Sequence, residues 1–234
     1  MPRCARLKSF DSIYHIMVRS VGDIKLYRCG ADKNKYLDLI EKYQSVYLFK
    51  VYAYCIMDTH AHIIIDAAGS DISKVMHGIN QCYAQYYNNK YKRHGHVFQD
   101  RFKSKIVIDN RNLIELSAYI HNNPKDIKGY EGKVERYRYS SLGIYLGIMK
   151  DLRGIVDTDF ILNQFSKDTI QSKVLYLRYV CKYNKEESAE DVEFKHEKSE
   201  YRSERRVILR NYTPSQVVSF VQEYTGQSNI VVNI

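Results

Sequence analysis

Several features that would assign this sequence to a class are absent from it. Its 234 residues include no tryptophan and only three prolines. No apolar run approaches the roughly 18 to 20 residues that a membrane-spanning helix needs, and the opening MPRCARLKSF lacks the apolar core of a signal peptide. We therefore expect a cytoplasmic protein.

Cysteine is scarce and scattered. The five cysteines are odd in number, and none forms a CxxC pair of the kind that binds zinc or acts as a redox dithiol. We expect them to be reduced and mainly structural. They are Cys4, Cys29, Cys55, Cys82 and Cys181.

Positive charge and tyrosine are abundant. A formal net charge of +9 and a pI near 9.1 favour attraction to a polyanion, with nucleic acid as the leading candidate. The 22 tyrosines can stack on bases or fill a core, so their number alone singles out none of them. The apolar and charged fractions, 44% and 27%, are typical of a folded globular protein.

The first half of the chain alternates between strand and helix patterns. Alternating residues predict a first strand over Ser12–Ser20, and the helical spacing of ADKNKYLDLIEKYQSV predicts a helix that Asp32 can cap. Val46–Asp58 and the following AHIIIDA predict two antiparallel strands, divided at Asp58 and Thr59. One face of the first strand carries Ile13, His15, Met17 and Arg19.

A second helix is predicted from Asp71 to about Asn89, then a fourth strand in FKSKIVID, then a helix over Arg111–Asn123 that Pro124 stops. This order is typical of the ferredoxin-like, split βαβ arrangement. We predict an α+β fold in which an antiparallel sheet carries helices on one face, followed by a helical C-terminal extension.

Composition divides the chain into three parts. Residues 1–150 form the main domain, and 151–205 form a helical extension, with a helical pattern from Ile155 to Tyr183, and a charged linker. Residues 206–234 are a candidate DNA-binding segment, whose helix is capped at Thr213. Because the sequence stops soon afterwards, we expect this last part to be an incomplete domain.

The first chemical signal is His60-Ala-His62 in a predicted strand. Strand residues two apart point to the same face, so both imidazoles can reach one metal ion. Imidazole suits manganese or zinc, and added oxygen ligands would admit magnesium. In the alternative interpretation one histidine packs and the other meets solvent. The same spacing recurs at His94-Gly-His96, where a glycine in a basic loop gives a less rigid support.

The second signal is Tyr119-Ile-His-Asn-Asn123. Tyr119 and Asn123 are four residues apart and share one helix face, which would deliver a nucleophile and a metal ligand together. Pro124 disfavours helical backbone at Asn123, so we expect that amide at the helix end with its oxygen available for coordination. The alternative is a packing tyrosine and a capping asparagine.

Five linked motifs resemble a known family. YHIMVRS, YAYCIMDTHAHIII, GHVFQDRFKSKIV, LSAYIHNNPKDIKGY and YRYSSLGIYL occur in the order and spacing of the REP-associated tyrosine transposases, relatives of the single-tyrosine HUH (IS200-like) transposases. The resemblance extends from Ile13 to Leu146. The usual proline and asparagine before the first histidine are replaced here by Asp58 and Thr59, which puts the orientation of the ligands in question.

The resemblance implies that residues 1–150 are a metal-dependent single-stranded DNA endonuclease and strand transferase. Such enzymes cut beside hairpins or palindromic repeats, form a 5′-phosphotyrosine bond and leave a free 3′ hydroxyl. By motif position, Tyr119 is the nucleophile, and His60, His62 and Asn123 bind Mg²⁺ or Mn²⁺. We expect a monomer or homodimer associated with the bacterial nucleoid.

Seven residues are candidates for DNA contact. The basic ones would hold phosphates and the two phenylalanines would stack on bases, against the alternative of solvated charge and core aromatics. They are Arg19, Arg93, Phe98, Arg101, Phe102, Lys103 and Lys105.

Two other functions remain open. A replication initiator or relaxase would use the same HUH chemistry, but a second tyrosine motif and a helicase segment are missing from the sequence. A non-catalytic nucleic-acid-binding module would use the same scaffold, although no RNP1 pattern of the RNA-recognition modules is present.

Overall fold

The computed structural model describes residues 12–22 and 24–183. The helix expected at Thr213 and the segment 206–234 lie outside the described residues, as does most of the charged linker. No helix among the described residues is long and apolar enough to cross a membrane.

Four antiparallel strands build the sheet of the described region, in the spatial order β2-β3-β1-β4. This order, with one helix after β1 and another after β3, confirms the ferredoxin-like α+β prediction. The strands are β1 (Ile13–Arg19), β2 (Lys50–Ile56), β3 (His60–Asp66) and β4 (Lys103–Ile106); the helices are α1 (Gly30–Tyr47), α2 (Ile72–Tyr91), α3 (Asn110–Asn122), α4 (Leu142–Tyr145), α5 (Asp159–Leu162) and α6 (Thr169–Lys182).

The larger core lies between one face of the sheet and helices α1 and α2. Alternate residues of the central strands point into it, among them Ile16 of β1 and Ile63 of β3, both fully buried. Tyr36 of α1 and Tyr83 of α2 meet there edge to face, with ring centroids 5.3 Å apart. Many of the tyrosines are therefore core residues.

The opposite face carries a second core, which α3, α4 and α6 cover. Helices therefore lie on both faces, whereas the sequence predicts them on one. The reason lies in β2, where Tyr52 and Cys55 on this face are as buried as Tyr54, which contributes to the other core. A strand that is apolar on both sides needs cover on both sides.

The second strand begins later than the sequence predicts. The strand predicted from Val46 begins at Lys50, because α1 continues to Tyr47 and ends at Leu48 in a left-handed conformation with φ of 59°. The backbone N–H of Leu48 caps the carbonyl of Gln44. The last turn of α1 therefore includes Val46 and Tyr47 despite their β propensity.

The start of α1 also differs. Asp32 is the third residue of the helix rather than its cap, and Cys29 occupies the cap position. The Asp32 carboxylate accepts hydrogen bonds from the backbone N–H groups of Arg28 and Cys29, at 2.9 and 3.1 Å. Asp32 therefore satisfies two backbone N–H donors at the start of the helix.

Beyond the sheet, the helical pattern predicted from Ile155 to Tyr183 is interrupted. Val156 pairs with Val51 of β2 in an isolated parallel bridge, and two helices follow, the single-turn α5 and the longer α6. Asp168 caps α6 by accepting from the N–H of Gln171. Helix α6 packs against α3.

Candidate active site

The predicted metal histidines lie on the sheet face that α3 partly covers. Antiparallel pairing places Arg19 opposite His60 and Met17 opposite His62. Residues directly opposite in an antiparallel pair share a face, so these four side chains project to the same side. His62 is 3% exposed, whereas His60, at the start of the strand, is only half-buried.

Each of the two histidines turns its Nδ1 toward a defined partner. His60 Nδ1 lies 3.0 Å from the Thr59 hydroxyl, and His62 Nδ1 lies 2.9 Å from Nε2 of His15. The two imidazole centroids are 5.2 Å apart with rings nearly perpendicular. Coordination of one ion by both would therefore use the Nε2 atoms.

Tyr119 of α3 packs against the rings of His62 and His15. Its ring meets that of His62 edge-on, with centroids 5.5 Å apart, and is 6.4 Å from that of His15. The tyrosine is 6% exposed. The structure thus brings together the three residues expected to act on the phosphate, from β3 and α3 of one chain.

Asn123 lies at the end of α3 as expected, but its backbone is helical, with φ of −54° and ψ of −37°. The expectation of a non-helical conformation before Pro124 is wrong here, because α3 continues into a 3-10 turn at Asn123–Asp126. The Asn123 amide nitrogen donates to the carbonyls of Tyr119 and Ile120, at 3.0 and 3.3 Å. Its oxygen is therefore the atom that would coordinate a metal.

The donor set fits a divalent ion in part. Among residues 12–22 and 24–183, no three histidine, cysteine, aspartate or glutamate side chains form a metal-binding group. Two imidazoles on one face and an amide oxygen at the helix end are nevertheless ligand types that Mn²⁺ accepts. Mg²⁺ would retain several waters at such a site.

The turn before β3, formed by Asp58 and Thr59, is held by ion pairs. Asp58 accepts from Lys33 at 2.8 Å and from Lys25 at 3.1 Å, and its backbone carbonyl accepts from Tyr27. Burial would raise the pKa of Asp58, but the hydrogen bonds from Lys33 and Lys25 outweigh it and hold that pKa below its usual value. Asp58 therefore ties the start of β3 to α1.

The helix that carries Tyr119 is anchored by a buried histidine. His121 is fully buried, with Nδ1 at 2.6 Å from the Tyr176 hydroxyl of α6 and Nε2 at 2.7 Å from the Ser141 hydroxyl. Ser141 also accepts from the backbone N–H of Tyr54 in β2, and Tyr176 donates to Ser117 of α3. This network fixes α3 between the sheet and α6.

Comparison with known proteins identifies the family. The family model described as "Transposase IS200 like" matches residues 8–123. Through these residues the chain belongs to the IS200-like transposase family. A solved structure of a REP-associated tyrosine transposase bound to a REP hairpin shares the fold, with a TM-score of 0.55 and 16% identity over 72% of this chain and 93% of that chain. No curated protein matches the chain.

In this member of the IS200-like family, several predicted DNA contacts lie on the face of the histidines. Lys103 and Lys105 of β4 pair with Met17 and His15 of β1, so their side chains share the face of His62. Both lysines are half-buried, and the neighbouring Arg19 and Arg101 are exposed.

The other predicted contacts lie elsewhere. Phe102 is 4% exposed in the core under α1 and α2, and Phe98 packs beside Tyr83 with ring centroids 6.1 Å apart. Arg93 follows the end of α2, in a surface depression that Asn88 also lines. His94 and His96, the second HxH pair, are exposed in the same loop.

Sequence reasoning missed His15 and His121 as site residues. Both are buried, and burial, with a smaller contribution from Lys105 for His15, lowers the pKa of each to about 3. The signal for His15 was its place on the strand face of Arg19. His121 carried no comparable signal, because its partners Ser141 and Tyr176 lie 20 and 55 residues away.

We predict that protonation of His121 lowers the free energy of unfolding below about pH 6.5. The pKa of this group is about 3 in the folded protein and 6.5 ordinarily, so its contribution is complete above pH 6.5 and declines as the pH falls toward 3. The expected loss is about 1.4 kcal/mol of unfolding free energy per pH unit. Urea unfolding of the unaltered chain and of His121→Gln measures it.

Between about pH 7 and about pH 5, the unaltered chain should lose about 2 kcal/mol more unfolding free energy than His121→Gln. His94→Gln, at an exposed position, is the matched control and should follow the unaltered chain. Equal pH dependence of the unaltered chain and His121→Gln would refute the assignment.

Proposed function

We propose that this IS200-like family member cuts and rejoins single-stranded DNA beside a hairpin, with Tyr119 as the nucleophile. The observation that carries the proposal is the contact of the Tyr119 ring with His62, 5.5 Å between centroids, beside His60 on the same sheet face. A tyrosine packed against one candidate metal ligand, with the second ligand beside it, is suited to attack a phosphate held by the ion.

In the proposed reaction the Tyr119 oxygen attacks a backbone phosphorus and forms a phosphotyrosine bond to the 5′ side of the break. The bond from phosphorus to the 3′ oxygen breaks, and the proton lost by the tyrosine is balanced by the one gained at that oxygen. Attack of a 3′ hydroxyl on the phosphotyrosine reverses these changes and joins two strands. The bond energy is conserved, so no nucleotide cofactor is required.

We assign His60, His62 and the Asn123 oxygen to a divalent ion, Mg²⁺ or Mn²⁺. When bound, such an ion polarises the phosphate and stabilises the charge that develops on its oxygens. The hydrogen bonds of Thr59 and His15 orient the imidazoles, and the Asn123 amide nitrogen, bonded to the Tyr119 carbonyl, links the third ligand to the nucleophile helix.

The DNA strand is proposed to run along the β1 and β4 side of the same face. Arg19, opposite His60, would contact a phosphate next to the cut, and Lys103 and Lys105 would contact phosphates further along. Arg101, exposed just before β4, extends this row. The formal net charge of +9 supports a nucleic-acid partner.

The hairpin partner is proposed from the structural relative, which is a REP-associated tyrosine transposase bound to a REP hairpin. We propose a monomer, in which His62 and Tyr119 contact each other within one chain, with a homodimer as the alternative. Action on DNA in the bacterial cytoplasm, at the nucleoid, follows from this proposal.

We predict a covalent DNA adduct that depends on Tyr119 and His60. The unaltered chain, incubated with Mn²⁺ and end-labelled single-stranded DNA carrying a hairpin, should give a labelled protein band on a denaturing gel. Tyr119→Phe should abolish the band because it has no nucleophilic oxygen. His60→Ala should reduce it by about 100-fold or more, through the loss of a ligand to the ion.

Tyr86→Phe is the matched control, because Tyr86 lies on α2 at the other face of the sheet, and it should keep the adduct. An adduct that survives Tyr119→Phe would mean that another tyrosine attacks. Nicking without joined strands would favour a replication initiator or relaxase. Tight binding of hairpin DNA and an RNA control without any adduct would favour the non-catalytic module.

We also predict that Lys103 and Lys105 contribute to the salt dependence of DNA binding. Replacement of both by alanine should reduce the slope of log affinity against log salt by about 1.4, since each single-strand phosphate contact contributes about 0.7. Fluorescence anisotropy of labelled single-stranded DNA at several salt concentrations measures the slope.

The control for global charge is Lys42→Ala with Lys74→Ala, which removes two exposed lysines from α1 and α2. This control should leave the slope close to that of the unaltered chain. If both double variants change the slope equally, the lysines of β4 act through net charge alone and the proposed DNA path is wrong.

A further inference from the structure

His15 differs from His121, another buried histidine of the described region, in what it contacts. His121 is satisfied by two hydroxyl groups, those of Tyr176 and Ser141. His15, 2% exposed, directs its Nε2 to Nδ1 of His62 at 2.9 Å. A buried histidine whose ring nitrogen is hydrogen-bonded to a candidate metal ligand has a different role from one that fills the core.

The hydrogen bond between the two histidines allows two arrangements of one proton. If His15 donates, His62 accepts through Nδ1 and carries its own proton on Nε2, so it has no lone pair for a metal. If His62 donates, its Nε2 bears the lone pair that coordination requires. Metal-binding histidines ordinarily donate their other N–H to an outer partner.

The surroundings favour the second arrangement. His60 also turns its Nδ1 to an outer partner, the Thr59 hydroxyl, so both candidate ligands use Nδ1 for an outer hydrogen bond. The ring centroids of His15 and His62 are 5.2 Å apart with 29° between planes, and Tyr119 meets both rings edge-on. His15 therefore packs against both the proposed ligand His62 and the proposed nucleophile Tyr119.

We propose that His15 is a positioning residue of the metal site: its Nε2 accepts a hydrogen bond from His62 Nδ1 and thereby holds His62 in the tautomer that coordinates through Nε2. The proposal rests on the proposed function, since it deepens the role of His62 as a ligand. It assigns to β1 a part in metal binding that neither the HxH spacing nor the tyrosine motif indicates.

Two substitutions separate this role from packing. His15→Gln retains a hydrogen-bond acceptor at a similar reach, whereas His15→Leu fills a similar space without an acceptor. Titration of the full chain with Mn²⁺, followed by electron paramagnetic resonance of the free ion, should show affinity about 10- to 100-fold weaker in His15→Leu. His15→Gln should stay within about threefold of the unaltered chain, because it restores the hydrogen bond.

His77→Gln, at an exposed histidine of α2 on the other face of the sheet, is the control for the loss of an imidazole outside the site and should bind Mn²⁺ as the unaltered chain does. Metal-free binding of hairpin DNA should be equal in all variants, which verifies that each is folded. Unchanged Mn²⁺ affinity in His15→Leu would overturn the proposal. Equal weakening in His15→Gln and His15→Leu would also overturn it, because only the shape of His15 would then matter.

Nitrogen-15 NMR of the metal-free chain tests the tautomer without metal or activity. The expected spectrum shows His62 protonated at Nδ1 and His15 unprotonated at Nε2. A proton on Nε2 of His62 would overturn the proposal. If the unaltered chain binds no Mn²⁺ although this spectrum is found, the metal site of the proposed function fails while the His15 hydrogen bond stands.

Discussion

The pairing register of β1 with β3 is the constraint on which the site depends. It sets Arg19 opposite His60 and Met17 opposite His62, and it brings His15 within hydrogen-bond distance of His62. Because side chains alternate along a strand, a slip of one residue would turn the histidines into the core under α1 and α2. The alternation that buries Ile63 on one face therefore also presents the histidines on the other.

The second requirement is that α3, which carries the proposed nucleophile Tyr119, keeps its place on that face. Tyr119 belongs to a helix that contacts β2 on one side and α6 on the other, and His121 bonds to Tyr176 and Ser141 across these contacts. A buried polar network of this kind favours one placement of α3, because any placement that leaves a buried polar group without its hydrogen bond costs about 1 to 3 kcal/mol. The residues after the matched family segment thus take part in positioning Tyr119.

The sequence was sufficient to predict the strand and helix order and the histidine pair, because both follow from local alternation. It was insufficient for His15, whose contact with His62 spans 47 residues and depends on the register. Phe102 looked like a stacking surface but is 4% exposed, since alternation around a loop does not reveal which face is buried. The early strand start at Val46 was wrong because helix capping at Leu48 overrode β propensity.

The most direct test of the central claim is mass spectrometry of the reaction product after the protein is digested with trypsin and the DNA with nuclease. The account predicts that the peptide containing Tyr119 gains the mass of a nucleotide attached through its 5′ phosphate, in the presence of Mn²⁺ and a hairpin substrate. A nucleotide on a different tyrosine, or on none in a chain that has cleaved its DNA, would contradict the assignment of Tyr119 as the nucleophile.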